Sequence, residues 1–178
     1  VFRYETTRGP TFTAHPFLRE FFMNLHGVRD PRQIHEVVRS KLAATLQSRP
    51  RSMPRTPQEL DRYETLIEVS LASGHTKTAY ELFWHTLGHV THLGWRMGDY
   101  ERARRIAAGF TTDASWKHPD EGLDAGQRID IASAWAMSAF FLGDLEQARR
   151  GMTSTIADCE RAHLGEELAW HLRDLAEI

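Results

Sequence analysis

A short motif occurs three times in this chain and indicates its fold: GHTKTA at Gly74–Ala79, GDYERA at Gly98–Ala103 and GDLEQA at Gly143–Ala148. In each copy an amphipathic run leads into the glycine, and a second run begins just after it. A glycine in this place typically ends one helix and lets the chain turn back into the next. The motif therefore predicts an all-α fold of helical hairpins packed one against another.

Length, charge and cysteine content narrow the class of protein. With 178 residues, 41% of them hydrophobic, the chain can bury roughly 70% of its unfolded surface. Its 22 basic and 24 acidic residues give a net charge of -2, so we expect no nucleic-acid partner. Cys159 is the single cysteine, which excludes an internal disulfide and favours a cytoplasmic location. No apolar run approaches the ~20 residues of a membrane span, so we expect no membrane partner.

A proline- and arginine-rich stretch, 49–57, divides the chain. It holds three prolines and three arginines, and we expect an extended, solvated linker. Before it, residues 1–48 predict a strand pair over Tyr4–Ala14 and helices over 15–26 and 31–49. After it, residues 58–178 predict the helical repeats. Because the chain stops at Ile178 inside a helical pattern, we expect a longer parent protein.

The repeat region opens with a strong helix start. Thr56 suits the N-cap, Pro57 the first helical position, and Glu59 completes a capping-box spacing. Further helices are predicted over about 76–96, 99–110, 125–142, 144–163 and 166–178, with a loop over 111–123. The stretch 76–97 is predicted either as one long helix or as two that break at Gly88 or Gly94.

The glycine-to-alanine spacing in the three motifs resembles that of the tetratricopeptide (TPR) repeat. In the third copy Trp135 and Ala136 occupy the large and small positions of the first helix, while Ala148 and Met152 line the second. The glycines lie 24 residues (74 to 98) and 45 residues (98 to 143) apart, whereas a regular TPR repeats every ~34 residues. The resemblance implies degenerate, TPR-like antiparallel hairpins stacked as a short superhelix.

A second resemblance lies near the amino terminus. The segment TFTAHPFLREFF at 11–22 is similar to the end of the winged-helix domain in STAND (NACHT/NB-ARC-like) signalling NTPases. The resemblance implies a sensor region that follows an ATPase core, binds a protein partner and oligomerises through the parent protein, as in bacterial antiviral defence. The same layout in ATPase-type transcriptional activators is an alternative. No GxxxxGK[ST] motif occurs in the chain, so we expect no nucleotide site in this fragment. No convincing catalytic constellation is evident either, so we expect no catalytic residue and no cofactor here.

A helical-repeat groove has predictable lining residues, which we obtain by counting back from each turn into the first helix of each hairpin. The lining should mix acidic, aromatic and basic groups, and it suits a protein or peptide ligand that carries some positive charge. The predicted groove residues are Asp61, Glu64, Glu68, His85, His92, Trp95, Arg96, Asp130, Ser133 and Met137.

The strongest competing chemistry is a zinc site at His85, His89 and His92. On one continuous helix, offsets of four and seven residues place the three imidazoles on one face. Such a set with an open fourth position is typical of a metal-dependent hydrolase, although a catalytic zinc site normally also recruits a base such as Glu. Zinc is therefore the alternative cofactor, against an interpretation in which these histidines are partly buried or line the groove.

Overall fold

A computed structural model describes residues 2–6, 9–13, 31–47, 53–111 and 122–178. The chain divides into two compact units, 1–34 and 35–178. In the first unit, strands β1 (Phe2–Thr6) and β2 (Gly9–Thr13) pair antiparallel, with Phe2 opposite Thr13 and Thr6 opposite Gly9. The helix predicted over 15–26 falls outside the described residues.

The rest of the described chain is helical, and the all-α class is confirmed at that level. Among the described helices none combines the length and apolar character that crossing a membrane requires. Helix α3 continues beyond its α-helical part as a π-helical segment, Leu82–Thr86, and α4 is π-helical throughout. The helices are α1 (Pro31–Gln47), α2 (Pro57–Ala72), α3 (Thr76–Glu81), α4 (Thr91–Arg96), α5 (Tyr100–Ala108), α6 (Ala125–Phe141), α7 (Leu145–Ala162) and α8 (Gly165–Glu177).

The predicted start of α2 is confirmed in detail. The Glu59 amide donates to Thr56 Oγ1 at 3.3 Å, and the Thr56 amide donates to Glu59 Oε2 at 3.2 Å. These two bonds form a capping box, and Pro57 follows it as the first helical residue. The expectation of a solvated linker is wrong for Pro54, which is buried just before this cap.

At each of the three motifs one helix ends and the next begins. Gly74, Gly98 and Gly143 have φ of +83°, +69° and +82°, a conformation that glycine adopts without strain. In the second and third copies the aspartate after the glycine then caps the next helix. Asp99 accepts from the Arg102 amide, and Asp144 accepts from the Gln147 amide.

The stretch 76–97 contains two helical segments, with the break at Gly88. Gly88 has φ +66° and His89 has φ +40°, so the backbone turns left-handed at two successive residues. A Cβ on Gly88 would lie 2.8 Å from the Cβ of His92, too close for any side chain. Of the two predicted alternatives, the broken helix is the one observed.

The core lies between consecutive helices. Helix α2 packs on α3, α5 on α6, α6 on α7 and α7 on α8. The largest fully buried side chains of the core include Phe83, Leu87, Phe110 and Ile131. Gly151 of α7 lets that helix approach α6 closely, because a Cβ there would lie 2.9 Å from the Trp135 ring. Helix α6 is thus held by neighbours on its buried side, and its remaining surface is available to form a site.

Candidate functional site

One face of α6 is less buried than the rest of the helix. Asp130, Ser133 and Met137 are partly exposed, and Phe141 is 42% exposed. These residues are separated by three, four and four positions, so at 100° per residue they lie within an arc of about 80°. We call these four residues the α6 open face. It includes all three predicted groove residues of this helix.

At the amino-terminal end of the α6 open face, a tyrosine from α3 binds the aspartate. The Tyr80 hydroxyl donates to Asp130 Oδ2 at 2.6 Å, and Tyr80 is only 6% exposed. Burial raises the pKa of Asp130, and the negative charges of Asp124 and Glu167 add to that shift. The hydrogen bond from Tyr80 and the nearby His85 oppose it. Burial and the bond to Asp130 also raise the pKa of Tyr80. Asp130 makes no ion pair with any residue that the structure describes.

Aromatic rings extend this site along α3. Trp84 stacks between Tyr80, at 5.9 Å between ring centroids, and His89, at 3.9 Å. The exposed His85 ring meets Tyr80 edge-on at 6.2 Å. Burial lowers the pKa of His89 to about 4, with the nearby His85 as a smaller cause. The neutral His89 ring therefore packs as an aromatic side chain, and His85 is the histidine that faces solvent.

The middle of the α6 open face meets α8. Ser133 Oγ lies 3.4 Å from His171 Nδ1, within hydrogen-bond distance. Burial lowers the pKa of His171, so the imidazole is biased toward its neutral form. Met137 is partly buried and packs against the hydrophobic core. The structure thus brings the predicted residues His85, Asp130 and Ser133 to one surface, through Tyr80 and His171.

The predicted acidic groove residues of α2 bind arginines of α5. Glu64 accepts from Arg102 at 2.8 Å and from Arg105 at 2.6 Å, and its side chain is only 10% exposed. Asp61 accepts from Arg102 at 2.9 Å. Glu68 is exposed one helical turn beyond Glu64. Two of these three carboxylates are therefore engaged in holding α2 to α5.

The aromatic and basic groove residues of α4 lie at the other end of α6. Trp95 is 60% exposed, and its ring meets Phe141 edge-on at 6.3 Å. Phe141 also stacks on Tyr100 at 4.7 Å. Arg96 is exposed beside Trp95. The structure does not bring this pair to Asp130, because Asp130 and Phe141 are eleven residues apart along α6.

The three histidines of the zinc alternative are not on one continuous helix, because the break at Gly88 separates His85 from the other two. His92 is 7% exposed, and its Nε2 lies 2.9 Å from the Pro54 carbonyl oxygen. Within residues 31–47, 53–111 and 122–178, no three His, Cys, Asp or Glu side chains are grouped as metal ligands. Zinc at these histidines stays an untested alternative whose geometric premise does not hold.

Phe141 and Tyr80 are among the residues of this surface that were not predicted from the sequence. Phe141 continues the spacing of Asp130, Ser133 and Met137 by one more helical turn, so a longer count along α6 would have found it. Tyr80 lies in the second helix of its hairpin, whereas the groove count used only first helices. Its contact with Asp130 spans 50 residues, and no local pattern signals it.

Comparison with protein-family models finds no match to this chain, and comparisons with curated proteins and with solved structures find none either. The function of the chain is therefore inferred from its own residues.

Proposed function

We propose that the helical region 58–178 is a TPR-like protein-interaction module that binds a protein or peptide ligand along the α6 open face. Support comes from the sequential packing of its helices and from the three left-handed glycines that turn one helix into the next. In such arrays, ligands bind along the helix faces that hairpin packing leaves uncovered. The α6 open face is such a surface.

The single observation that carries the proposal is the environment of Asp130. This carboxylate is held by Tyr80, has Asp124 and Glu167 as negative neighbours and His85 as a nearby attractive charge, and forms no ion pair among the described residues. Bringing a lysine or arginine of a ligand to it would relieve the repulsion between the carboxylates. We therefore propose a ligand segment with at least one basic side chain, in agreement with the positive charge expected from the sequence.

We propose binding, not catalysis, for the Tyr80–Asp130 pair. The Tyr80 hydroxyl is already engaged with Asp130, and its raised pKa disfavours the phenolate that proton transfer would require. Trp84 and His89 back the pair with stacked rings, which favours a rigid surface. A pre-ordered surface loses little conformational freedom when a ligand binds.

We also propose that this module is the sensor of a STAND-type signalling protein with an ATPase core elsewhere in the parent chain. The support is the similarity of residues 11–22 to the end of a winged-helix domain. Residues 14–22 of that segment fall outside the described part of the structure. Ligand binding at the repeats would then release an oligomerising ATPase, as the resemblance implies.

Site-specific photocrosslinking tests the binding proposal. A photoreactive amino acid replaces Ser133 on the α6 open face or, as a matched control, the exposed Thr153 of α7. We expect discrete protein adducts from host-cell extract at position 133 and not at position 153. Asp130→Asn should reduce the adducts about tenfold, because its amide oxygen still accepts from Tyr80 while the charge is lost. The matched charge control is Asp158→Asn on α7.

Equal labelling from positions 133 and 153 would contradict the proposed face. Adducts at position 133 that survive Asp130→Asn unchanged would contradict the basic ligand. Circular dichroism and thermal unfolding of each variant establish that the helical fold is retained.

A further inference from the structure

We propose that the ligand of the α6 open face binds at two anchors about 16 Å apart. A basic side chain of the ligand binds at Asp130. An apolar side chain of the ligand, with a ligand carboxylate next to it, binds at Trp95, Phe141 and Leu145. This inference rests on the proposed function and adds the second anchor, its charge and its spacing.

The second anchor is an exposed apolar surface at the turns of two neighbouring hairpins. Trp95, Phe141 and Leu145 are 60%, 42% and 50% exposed. Phe141 contacts the Trp95 and Tyr100 rings, so it is fixed in place although it faces solvent. We call Trp95 and Phe141, together with Leu145 just beyond the turn at Gly143, the aromatic surface. A group of large apolar side chains that is ordered yet exposed is typical of an interaction site.

Basic groups flank the aromatic surface. Arg96 follows Trp95 in the chain, is exposed, and forms no ion pair with the described residues. On α7, Arg149 lies one turn after Leu145 on the same side of the helix. Arg149 and Arg150 share one carboxylate, Glu146, at 3.3 and 2.7 Å, which leaves an excess of positive charge. A ligand carboxylate beside the apolar anchor complements these arginines, whereas a second copy of this chain would bring arginine to arginine.

The two anchors lie on the same face of one rigid helix, which fixes their separation. Eleven residues at 100° each return to within about 20° of the starting direction, so Asp130 and Phe141 point to the same side of α6. At a rise of about 1.5 Å per residue they are about 16 Å apart along the axis. An extended ligand advances about 3.3 Å per residue, so it spans the two anchors in about five residues. Ser133 and Met137 lie between the anchors.

A peptide selection tests both the composition and the spacing. Random 12-residue peptides displayed on phage are selected on the full chain, and the enriched peptides are titrated by fluorescence anisotropy. We expect enriched peptides to pair Lys or Arg with an aromatic or aliphatic residue four to six positions away, next to Asp or Glu. Phe141→Ser should weaken their binding about tenfold, and so should removal of the apolar residue from the peptide.

A double-mutant cycle then shows whether the two changes act through one contact. Removing the apolar residue should have little effect on binding to Phe141→Ser, since its partner is already gone. Trp170→Ser, which removes a 54% exposed tryptophan on α8, is the matched control and should leave binding unchanged. Circular dichroism verifies that both variants fold.

Each other outcome overturns the inference in a distinguishable way. Peptides that need only a basic residue, lose binding in Asp130→Asn and ignore Phe141→Ser would remove the second anchor and leave the proposed function standing. Binding that needs the apolar residue but no fixed spacing would overturn the bipartite ligand. A chain that dimerises through the aromatic surface would replace the ligand with a second copy, and failure to enrich any peptide would contradict both proposals.

Discussion

Lowering the pH from 6.5 to 4 should destabilise this protein through His89. The His89 ring is partly buried and stacked on Trp84 at 3.9 Å, and burial lowers its pKa from 6.5 to about 4. Between these two pKa values His89 is protonated in the unfolded chain and neutral in the folded chain. Proton uptake therefore stabilises the unfolded state relative to the folded state as the pH falls, and the contribution of His89 to stability is present above pH 6.5 and lost toward pH 4.

The magnitude follows from the difference between the two pKa values. At about 1.36 kcal/mol per pKa unit, a shift of 2.5 units corresponds to about 3.4 kcal/mol. Because the ring keeps some contact with water, solvent screening reduces this to roughly 1–2 kcal/mol. Glu36, whose pKa its neighbours Arg39 and His75 lower to about 2, loses its own stabilisation mainly below pH 4.5, so the two effects overlap little.

The assay is urea unfolding at several pH values between 4 and 7 for the wild type and for His89→Asn. Asparagine tolerates the left-handed backbone at this position, φ +40°, but does not titrate. The variant will be less stable at every pH because it lacks the ring stacked on Trp84, so the slope against pH is the quantity that matters. We expect a shallower slope for the variant.

The control for this assay is His163→Asn. His163 is the other described non-glycine residue with a positive φ, 57°, and it is exposed at the end of α7. Its replacement should leave the slope of the wild type unchanged. Parallel curves for wild type and His89→Asn would contradict this prediction, because they would show that His89 takes up its proton equally in both states.

Two further predictions concern stability at neutral pH. Arg102→Met should lower the free energy of unfolding by about 2 kcal/mol, because Glu64, with a side chain only 10% exposed, loses one of its two arginine partners. Gly151→Ala should lower it by about 1 kcal/mol, since the added Cβ would lie 2.9 Å from the buried Trp135 ring and this overpacking outweighs the gain in helix propensity. Urea denaturation measures both changes.

Matched substitutions at exposed positions control these two predictions. Arg161→Met breaks an ion pair with Asp158 in which the arginine is 75% exposed, and it should change stability by less than about 0.5 kcal/mol. Gly165→Ala meets no atom within 4 Å and should be neutral or stabilising. If Arg102→Met and Gly151→Ala behave like their controls, the helix contacts described at these positions do not support the fold.

The helix boundaries were largely predictable because local chemistry sets them. The capping box at Thr56 and Glu59 depends on residues three positions apart. The left-handed turns at Gly98 and Gly143 need only a residue that lacks a Cβ. The sequence does not specify where the stretch 76–97 breaks, because Gly88 and Gly94 both interrupt the helical pattern. Packing distinguishes them: Gly88 adopts a positive φ, whereas Gly94 stays helical and gives room to the ring of Tyr100.

The candidate site was predictable only where one helix supplies it. Asp130, Ser133 and Met137 share a face of α6 by spacing alone, and the structure leaves that face partly exposed. The partners of these residues come from elsewhere in the chain. Ser133 meets His171 across 38 residues, and Glu64 meets Arg102 across the same separation. Pairings at that distance depend on how the hairpins stack, which a periodic pattern does not specify.

The buried side of α6 explains why its open face can carry specificity. Ile131, Trp135, Ala136 and Ala139 are at most 7% exposed, and Gly151 lets α7 approach them closely. These contacts fix the direction and rotation of α6 without help from the opposite face. Replacing a partly exposed residue on that face therefore costs little stability while changing the surface offered to a ligand. A helix anchored in this way can exchange one ligand for another through a few substitutions.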